Sequence, residues 1–548
     1  MNQANTDMQK IETASNVLVL GGGLTGIRTA DAIAAQGYSV LLVEPGEGVG
    51  LAAESRPING YSQTEKDTLD KLVEQVRASG NIEVLEQTTM TGATGVAGDF
   101  QVSLTGKADQ VKKHVGAIVV ASEFIREPLN AAYGLDIGGA VITQSDLEQS
   151  LASETQKFAN KIVAFVVGFG QSGNPLVMER VLRSALELAQ VEGSTVYVYV
   201  NDLKVAAERL ERLYLQTRDK GVLFFKLSQA PAIEPLEGGV SITYHDPVIL
   251  RDISVQADIL VIEEAIKADC ANAQLADMLR LDPGSEGFLQ TDNVHRFPVA
   301  TNREGIFVVG GSRQVNSLDQ ALMDAENAAL QIRELLGDGT RLVPANKAVL
   351  DTGKCTFCLT CYRCCPHGAI YWDAANKPVI SLLACQGCGI CASECPMDAI
   401  QIGEFSDSMI HEQVQSRMAD KGKALKIVAF CCQNSALEAA QMAGDFGITL
   451  PDGLRLVQVP CAGKIDMDYI LNAFVEGADG VLVMACHPGN CKSERGNTYA
   501  QWRVNDAQRK LSEAGLDKTR LRFATLASNM ARDFARIVAE FETLLREL

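Results

Sequence analysis

Residues 16–44 read NVLVLGGGLTGIRTADAIAAQGYSVLLVE. The apolar run predicts a strand over Asn16–Leu20, which feeds directly into Gly21-Gly22-Gly23-Leu24-Thr25-Gly26. Residues 27–36 predict a helix stopped by Gly37, and 39–43 predict a second strand ending on Glu44. This is G-x-G-x-x-G in a strand–turn–helix–strand context, where each glycine has a physical task. Gly21 allows the tight turn, Gly23 lets the backbone approach a pyrophosphate, and Gly26 lets the helix lie close on the strand. The helix N-terminus then faces phosphates, and Glu44 can accept from a ribose hydroxyl. A plain glycine-rich loop is the alternative, and it leaves the flanking strands and the acid unexplained.

The pattern recurs inside itself. A strand at Ile162–Val167 precedes GFGQSG at 168–173, then a helix, then a strand at Thr195–Val200 and Asp202. The first fold resumes afterwards, with strand-like segments at 258–263 and 305–312 and a helix over 318–330. When one such motif opens the chain and another is inserted, the first holds the flavin, so the cofactor expected at residues 21–26 is FAD. Over residues 16–335 the chain resembles the two-dinucleotide-domain flavoprotein reductases. Their closing G-[IV]-F-x-x-G-D turn looks like residues 305–312, with Ser312 at the Asp position, and their A-T-G turn looks like Ala121-Ser122-Glu123. The resemblance implies flavin support from Ala121, Ser122, Gly310, Gly311 and Ser312. No C-x-x-C or C-x4-C pair occurs here, so thioredoxin-reductase chemistry is not expected. The second motif opens its helix with Asn174-Pro175, and rapid reduction by NAD(P)H is not expected there.

Fifteen cysteines mark the rest of the chain: none precedes Cys270, and fourteen follow residue 350. In a reducing compartment such a density means metal or redox chemistry, not a disulfide framework. Residues 355–366, CTFCLTCYRCCP, and 385–396, CQGCGICASECP, are two copies of C-x2-C-x2-C-x3-C-P. Three thiolates of each run converge on one cluster and the fourth reaches the other. One [4Fe–4S] cluster is therefore assigned to Cys355, Cys358, Cys361 and Cys395, the second to Cys385, Cys388, Cys391 and Cys365. Zinc is the alternative for paired C-x2-C units, although it rarely shows two full runs. Cys364 and Cys270 are expected as small buried residues.

From residue 424 the pattern is four short strands, at 425–430, 454–459, 480–485 and 521–526, each followed by a helical stretch. Cysteines sit at the strand ends, and in a parallel sheet those ends converge on one crevice. Cys432, Cys461, Cys486 and Cys491 can therefore meet, and four thiolates suit a [2Fe–2S] cluster or zinc, iron being favoured beside two ferredoxin clusters. Buried core cysteines are the plain alternative. Such a strand edge is expected to be open to solvent or to a docking protein, as an electron port.

The segments FCCQNS (430–435), CAGKID (461–466) and CHPGNC (486–491) resemble the delta subunit of methyl-viologen-reducing hydrogenase. That family carries a [2Fe–2S] cluster and passes electrons to the A subunit of heterodisulfide reductase. Ser435 stands where the family has a cysteine, which leaves Cys431 and Cys432 as rival ligands. The whole order resembles the heterodisulfide reductase A subunit fused to that delta subunit, and the B subunit of the quinone-interacting membrane-bound oxidoreductase is similar. The resemblance implies an oxidoreductase subunit that converts two-electron flavin chemistry into one-electron transfer, with flavin-based bifurcation or its reverse. Its partners would be subunits of a heterodisulfide-reductase-like, hydrogenase-like or quinone-oxidoreductase complex, with ferredoxin as a further one. A stand-alone NAD(P)H:ferredoxin oxidoreductase and a non-catalytic electron-wire scaffold are the alternatives.

The fold class is α/β: nested Rossmann folds, a bacterial-type two-cluster ferredoxin domain and a small C-terminal parallel α/β domain. The expected divisions are 16–150 and 266–336 for the FAD domain, 151–265 for the inserted domain, 337–350 for a linker, 351–405 for the ferredoxin and 424–548 for the rear domain. A net charge of −19 argues against nucleic acid. Residues 1–16 are polar and the apolar runs are strand-length, so neither a signal peptide nor a membrane span is expected. A cytoplasmic protein follows, peripheral to a membrane only through a partner.

Overall fold

The strand Asn16–Leu20 is hydrogen-bonded in parallel on both sides, to Ser39–Glu44 and to Ala117–Val120. Ile82–Glu86 and Ile306–Val308 close the two edges of this five-stranded sheet. Both faces of the central strand are covered, which is why it reads as continuously apolar. Val17 and Val19 pack with Ile27 and Ile33 of the helix Leu24–Ala35 and Ile332 of the helix Leu318–Leu336. Leu18 and Leu20 face Phe100, Val102 and Leu104 of a three-stranded antiparallel sheet. The first helix begins at Leu24, not at 27, with Gly23 as its extended N-cap, so Gly26 lies in its first turn. The structure, a computed structural model, describes residues 8–50, 63–107, 109–246, 248–290, 293–345, 347–373, 376–419 and 425–548. Residues 1–7 of the polar start and the expected rear boundary at 424 lie outside that set.

The second sheet is fully parallel, in the order Val141–Thr143, Ile259–Ile262, Ile162–Val167, Thr195–Val200, Leu223–Lys226. Because Val141–Thr143 belongs to it, this unit begins ahead of the expected residue 151. Phe124–Pro128 pairs antiparallel with Glu264–Ala268, at the two crossings between the sheets.

The expected linker is not a free tether. Thr340–Pro344 pairs antiparallel with Met8–Glu12, and Ala348–Leu350 pairs with Ile400–Ile402 of the ferredoxin region. A strand whose partner lies hundreds of residues away leaves no local signal of its pairing. Ala369, Ile370, Ile390 and Cys391 of the ferredoxin share one apolar core with Val17, Val19 and Ile27, so the two units are packed as one body.

The rear sheet is parallel in the order Leu454–Val459, Ile427–Cys432, Gly480–Ala485, Leu521–Thr525. Its first strand starts two residues later than expected and takes Cys431 and Cys432 into its last positions. The helix Asp407–Met418 buries Ile410, Val414 and Met418 in this domain's core, so its packing begins before 424. Among the described residues no helix is long and apolar enough to cross a membrane.

Candidate redox centres

The first glycine turn is built for close backbone approach. Gly21 has φ +114°, and a Cβ there would lie 2.5 Å from the Ala121 carbonyl oxygen. A Cβ on Gly26 would lie 1.8 Å from the Gly21 oxygen, which no neighbour can relieve because it is backbone. The Gly22 and Gly46 amides both donate to the Glu44 carboxylate, each at 2.6 Å. The carboxylate is thus fixed at the strand end with lone pairs left for ribose hydroxyls. Gly310 has φ +58° and lies against Thr25, whose hydroxyl is buried and has no hydrogen-bond partner among the described residues. That unmet hydroxyl and the bare glycine cradle fit a dinucleotide. Ser312, at the expected Asp position, spends its hydroxyl on the Val120 and Val309 carbonyls at 2.7 and 2.8 Å. Ser122 donates to Asn272 at 2.7 Å. Glu123, placed by sequence only at the end of the A-T-G-like turn, lies over the glycines: a Cβ on Gly23 would lie 2.4 Å from its Oε1, so its carboxylate occupies the approach to the turn.

The inserted turn is closed from within. The Gly170 amide donates to the Tyr133 hydroxyl at 3.2 Å, and Tyr133 donates to Glu263 at 2.7 Å. Gln171 holds the other oxygen of Glu263 at 3.1 Å, and Glu263 is only 2% exposed. A carboxylate therefore sits beside the amide that would meet a pyrophosphate. The Lys204 side chain lies over Gly173, 2.5 Å from where a Cβ would be.

In the ferredoxin region Cys355, Cys358, Cys361 and Cys395 line a single cavity walled by Leu350, Trp372 and Ile400. Burial raises the Cys361 thiol, and the charges of Cys395, Cys355 and Cys358 raise it further. Cys385, Cys388 and Cys391 are raised by burial in the same way, and Cys365 is a neighbouring charge acting on each. Cys388 reaches about 12. Each run's fourth cysteine thus lies with the other run's three. The repeat is also visible in the amides: Ala369 N–H donates to Cys365 Sγ at 3.4 Å and Ala399 N–H to Cys395 Sγ at 3.3 Å. Crowded thiols and aimed amides fit iron–sulfur cubes, whose sulfurs take N–H donors. Cys364 is buried as expected; Cys270 is not, but exposed at the start of a helix.

At the rear, Cys432 and Cys486 lie 3.8 Å apart, sulfur to sulfur. Hydrogen bonds from Cys461 and Cys486 hold the Cys432 thiol far below its ordinary range, helped by the Asn434 and Ala462 amides. Hydrogen bonds from the same two thiols hold Cys491 down, with the Asn497 and Ser493 amides. Four sulfurs in a ring competing for protons, with four amides aimed at them, fit a metal-centred group. Among the described residues no three His, Cys, Asp or Glu side chains are spaced to close on one ion. A Cβ on Gly496 would lie 2.3 Å from Cys461 Sγ, so the helix Gly496–Glu513 needs that glycine to start under the sulfurs. Cys431 points to the opposite face, among Ala436, Ala440 and Phe534.

Residues 427–548 match the family described as methyl-viologen-reducing hydrogenase, delta subunit. Over 122 residues the chain is 34% identical to the iron-sulfur D subunit of F420-non-reducing hydrogenase from Archaeoglobus profundus, covering 22% of this chain and 89% of that protein. The chain belongs to the hydrogenase delta-subunit family. That membership rests on its rear domain. Residues 347–396 match a 4Fe-4S dicluster domain and 19–79 an NAD(P)-binding Rossmann-like domain. The A subunit of ferredoxin:CoB-CoM heterodisulfide reductase from Methanosarcina mazei is 27% identical over 463 residues, 81% of this chain. The chain spans 58% of that relative's length. It thus joins a region similar to the heterodisulfide reductase A subunit with a hydrogenase-delta domain. Among solved structures, thioredoxin reductase of T. acidophilum matches with TM-score 0.41 and 14% identity, over 58% of this chain and 98% of that one.

One expectation fails for the hydrogenase-delta domain. Its cysteine edge is not open: Cys432, Cys461, Cys486 and Cys491 are at most 3% exposed. The chain itself covers them. Asn293 donates to the Cys491 carbonyl at 2.9 Å, Arg296 pairs with Glu494, and Ser493 lies hydrogen-bonded to Cys388 of the ferredoxin. Lys464, which sequence reading passed over, is 1% exposed between the domains, bonded to Asp407 at 2.6 Å and to the Tyr469 hydroxyl. A lone lysine inside C-A-G-K gave no sign of its burial.

Proposed function

We propose that the chain is the FAD- and iron–sulfur-carrying subunit of a heterodisulfide-reductase-like oxidoreductase complex. FAD exchanges electrons in pairs or singly and each cluster takes one, so together they supply two-to-one electron conversion. Gly21, Gly22, Gly23, Leu24, Thr25 and Gly26 would cradle the dinucleotide, Glu44 its ribose, and Ala121, Ser122, Gly310, Gly311 and Ser312 the walls around it. The two crossed cysteine sets would hold [4Fe–4S] clusters, and the rear set a [2Fe–2S] cluster.

The observation that carries this reading is contiguity. The rear sulfurs adjoin Cys388 through Ser493, and Cys365 follows Tyr362, whose carbonyl accepts from Arg280 of the flavin unit at 3.0 Å. The three modules are locked by Asn302 donating to the Pro366 carbonyl at 3.2 Å and by Ser393 donating to the Lys464 carbonyl at 2.6 Å. Their role is to fix the spacing of the centres and exclude water between them. The surface position belongs to the Cys355 set, where Cys358 is exposed beside Phe357, 47% exposed, and Met397, 44% exposed. We assign the port for a protein partner to that side. The relatives are named as subunits of heterodisulfide reductases and hydrogenases, which supports a partner from such a complex.

A stand-alone NAD(P)H reaction is opposed by the Glu263–Tyr133 closure of the second turn. Splitting of the flavin pair between two one-electron paths is the finer form of the proposal. Its test is reduction of the reconstituted chain by a low-potential one-electron donor and by NADH. The donor should reduce clusters and flavin together, and NADH should reduce neither rapidly. Rapid flavin bleaching by NADH would overturn the assignment.

A further inference from the structure

A cleft of about 250 Å³ lies where the three modules meet, and four arginines from all three line it. Arg280 and Arg303 come from the flavin unit, Arg363 from the ferredoxin and Arg495 from the hydrogenase-delta domain. Two carboxylates, Asp277 and Asp282, also face it, which leaves an excess of two positive charges. That excess stands out on a chain whose net charge is −19.

The arginines are not used up by each other's modules. Of these four, among the described residues, only Arg495 is ion-paired, to Asp282 at 2.8 Å. Arg280 lies over the Tyr362 ring, 4.2 Å from its centroid, and Arg363 donates to the Cys358 carbonyl at 3.0 Å. Each guanidinium has five N–H donors, so most of them are left for a ligand. Arg303 is 6% exposed and gives its two terminal nitrogens to the Leu279 and Gly95 carbonyls, at 3.0 and 2.8 Å. Its Nε has no partner among the described residues. An unpartnered N–H on a buried guanidinium gains from an acceptor brought alongside it.

We infer that this cleft is a binding site for a small phosphate-bearing anion, separate from the dinucleotide turn and reporting to the cluster of Cys365, which lines the same cleft. Planar guanidinium forks match tetrahedral oxyanions bidentately, whereas a site meant only to glue modules would pair each arginine with a carboxylate. The role of the cluster in this inference rests on the function proposed above; binding of the anion does not.

Isothermal titration of the FAD- and cluster-loaded full chain with inorganic pyrophosphate at low ionic strength tests the site. One saturable site is expected. Arg363→Gln and Arg495→Gln should each weaken it about tenfold, the factor for losing one charge-assisted hydrogen bond. Asp282→Asn removes the carboxylate that competes for Arg495 and should tighten binding, a gain that a misfolded variant would not give. Absence of saturable binding, or an affinity that none of the three changes moves, overturns the inference.

Discussion

Cys395 and Cys365 are each distant in sequence from the three thiols they lie beside. Cys395→Ser should therefore damage the centre of Cys355, Cys358 and Cys361, and Cys365→Ser that of Cys385, Cys388 and Cys391. Spectra that resolve the two centres should show reciprocal losses, and loss within each mutant's own run would refute the crossed assignment. The glycines divide in the same residue-by-residue way. Gly26→Ala drives a Cβ into a backbone oxygen and should cost about 1–3 kcal/mol of stability, the usual range for overpacking. The three atoms nearest a Cβ on Gly23 all belong to the flexible Glu123 side chain, so Gly23→Val should fold yet lose FAD. Glu123→Gln, by taking a charge off the approach to the turn, should raise FAD retention through gel filtration; unchanged or lower retention would count against that role. Spacing made the glycines and the eight ferredoxin cysteines legible, and the convergence of parallel-strand ends brought out the four at the rear. It could not reveal Glu123, Glu263 or Lys464, because their importance lies in what the chain folds over them.

The second glycine turn shows how an element keeps its form and changes its use. Its strand, turn and helix form where the pattern predicts, yet Tyr133 and Glu263 come from segments flanking the motif by tens of residues and close it. Pro175 at the helix start is not the cause: Asn174 caps that helix normally, accepting from the Leu176 amide at 2.8 Å. The linker hides its structure for the same kind of reason, since the pentapeptide Thr340–Pro344 becomes a strand only when Met8–Glu12 arrives beside it. At the docking helix Asp407–Met418, burial works against the Asp407 carboxylate, but hydrogen bonds from Lys464, Tyr469 and Gln401 hold its pKa well below the usual range. A depressed carboxyl contributes stability above its unfolded pKa and loses that contribution as pH falls through its folded value. Docking of the rear domain should thus be intact at neutral pH and weaken progressively below about pH 4. Lys464→Met should cost about 1–3 kcal/mol, less than breaking a fully buried pair, because Asp407 is 31% exposed and keeps its bonds from Tyr469 and Gln401. Denaturant titration of the full chain checks both, and a pH-independent Lys464→Met effect over that window would contradict the assignment.

At the scale of the molecule, three modules that the sequence strings in a row are packed together, with the rear sulfurs adjoining Cys388 of the ferredoxin through Ser493. The order of modules was legible from motif spacing alone, but their docking was not, because it depends on single contacts such as Asn293 with Cys491. That docking buries the rear cysteines, which is why the proposed partner port lies on the exposed side of the Cys355 set. Substituting the exposed Phe357 and Met397 with Lys should slow electron exchange with a partner protein and leave cluster and flavin content unchanged. The central claim is that one chain holds a flavin and three iron–sulfur centres. Metal, acid-labile sulfide and flavin analysis of the anaerobically reconstituted chain tests it most directly. The account predicts one FAD, about ten irons with matching sulfide, and no zinc; about eight irons with one zinc, or FMN in place of FAD, would contradict it.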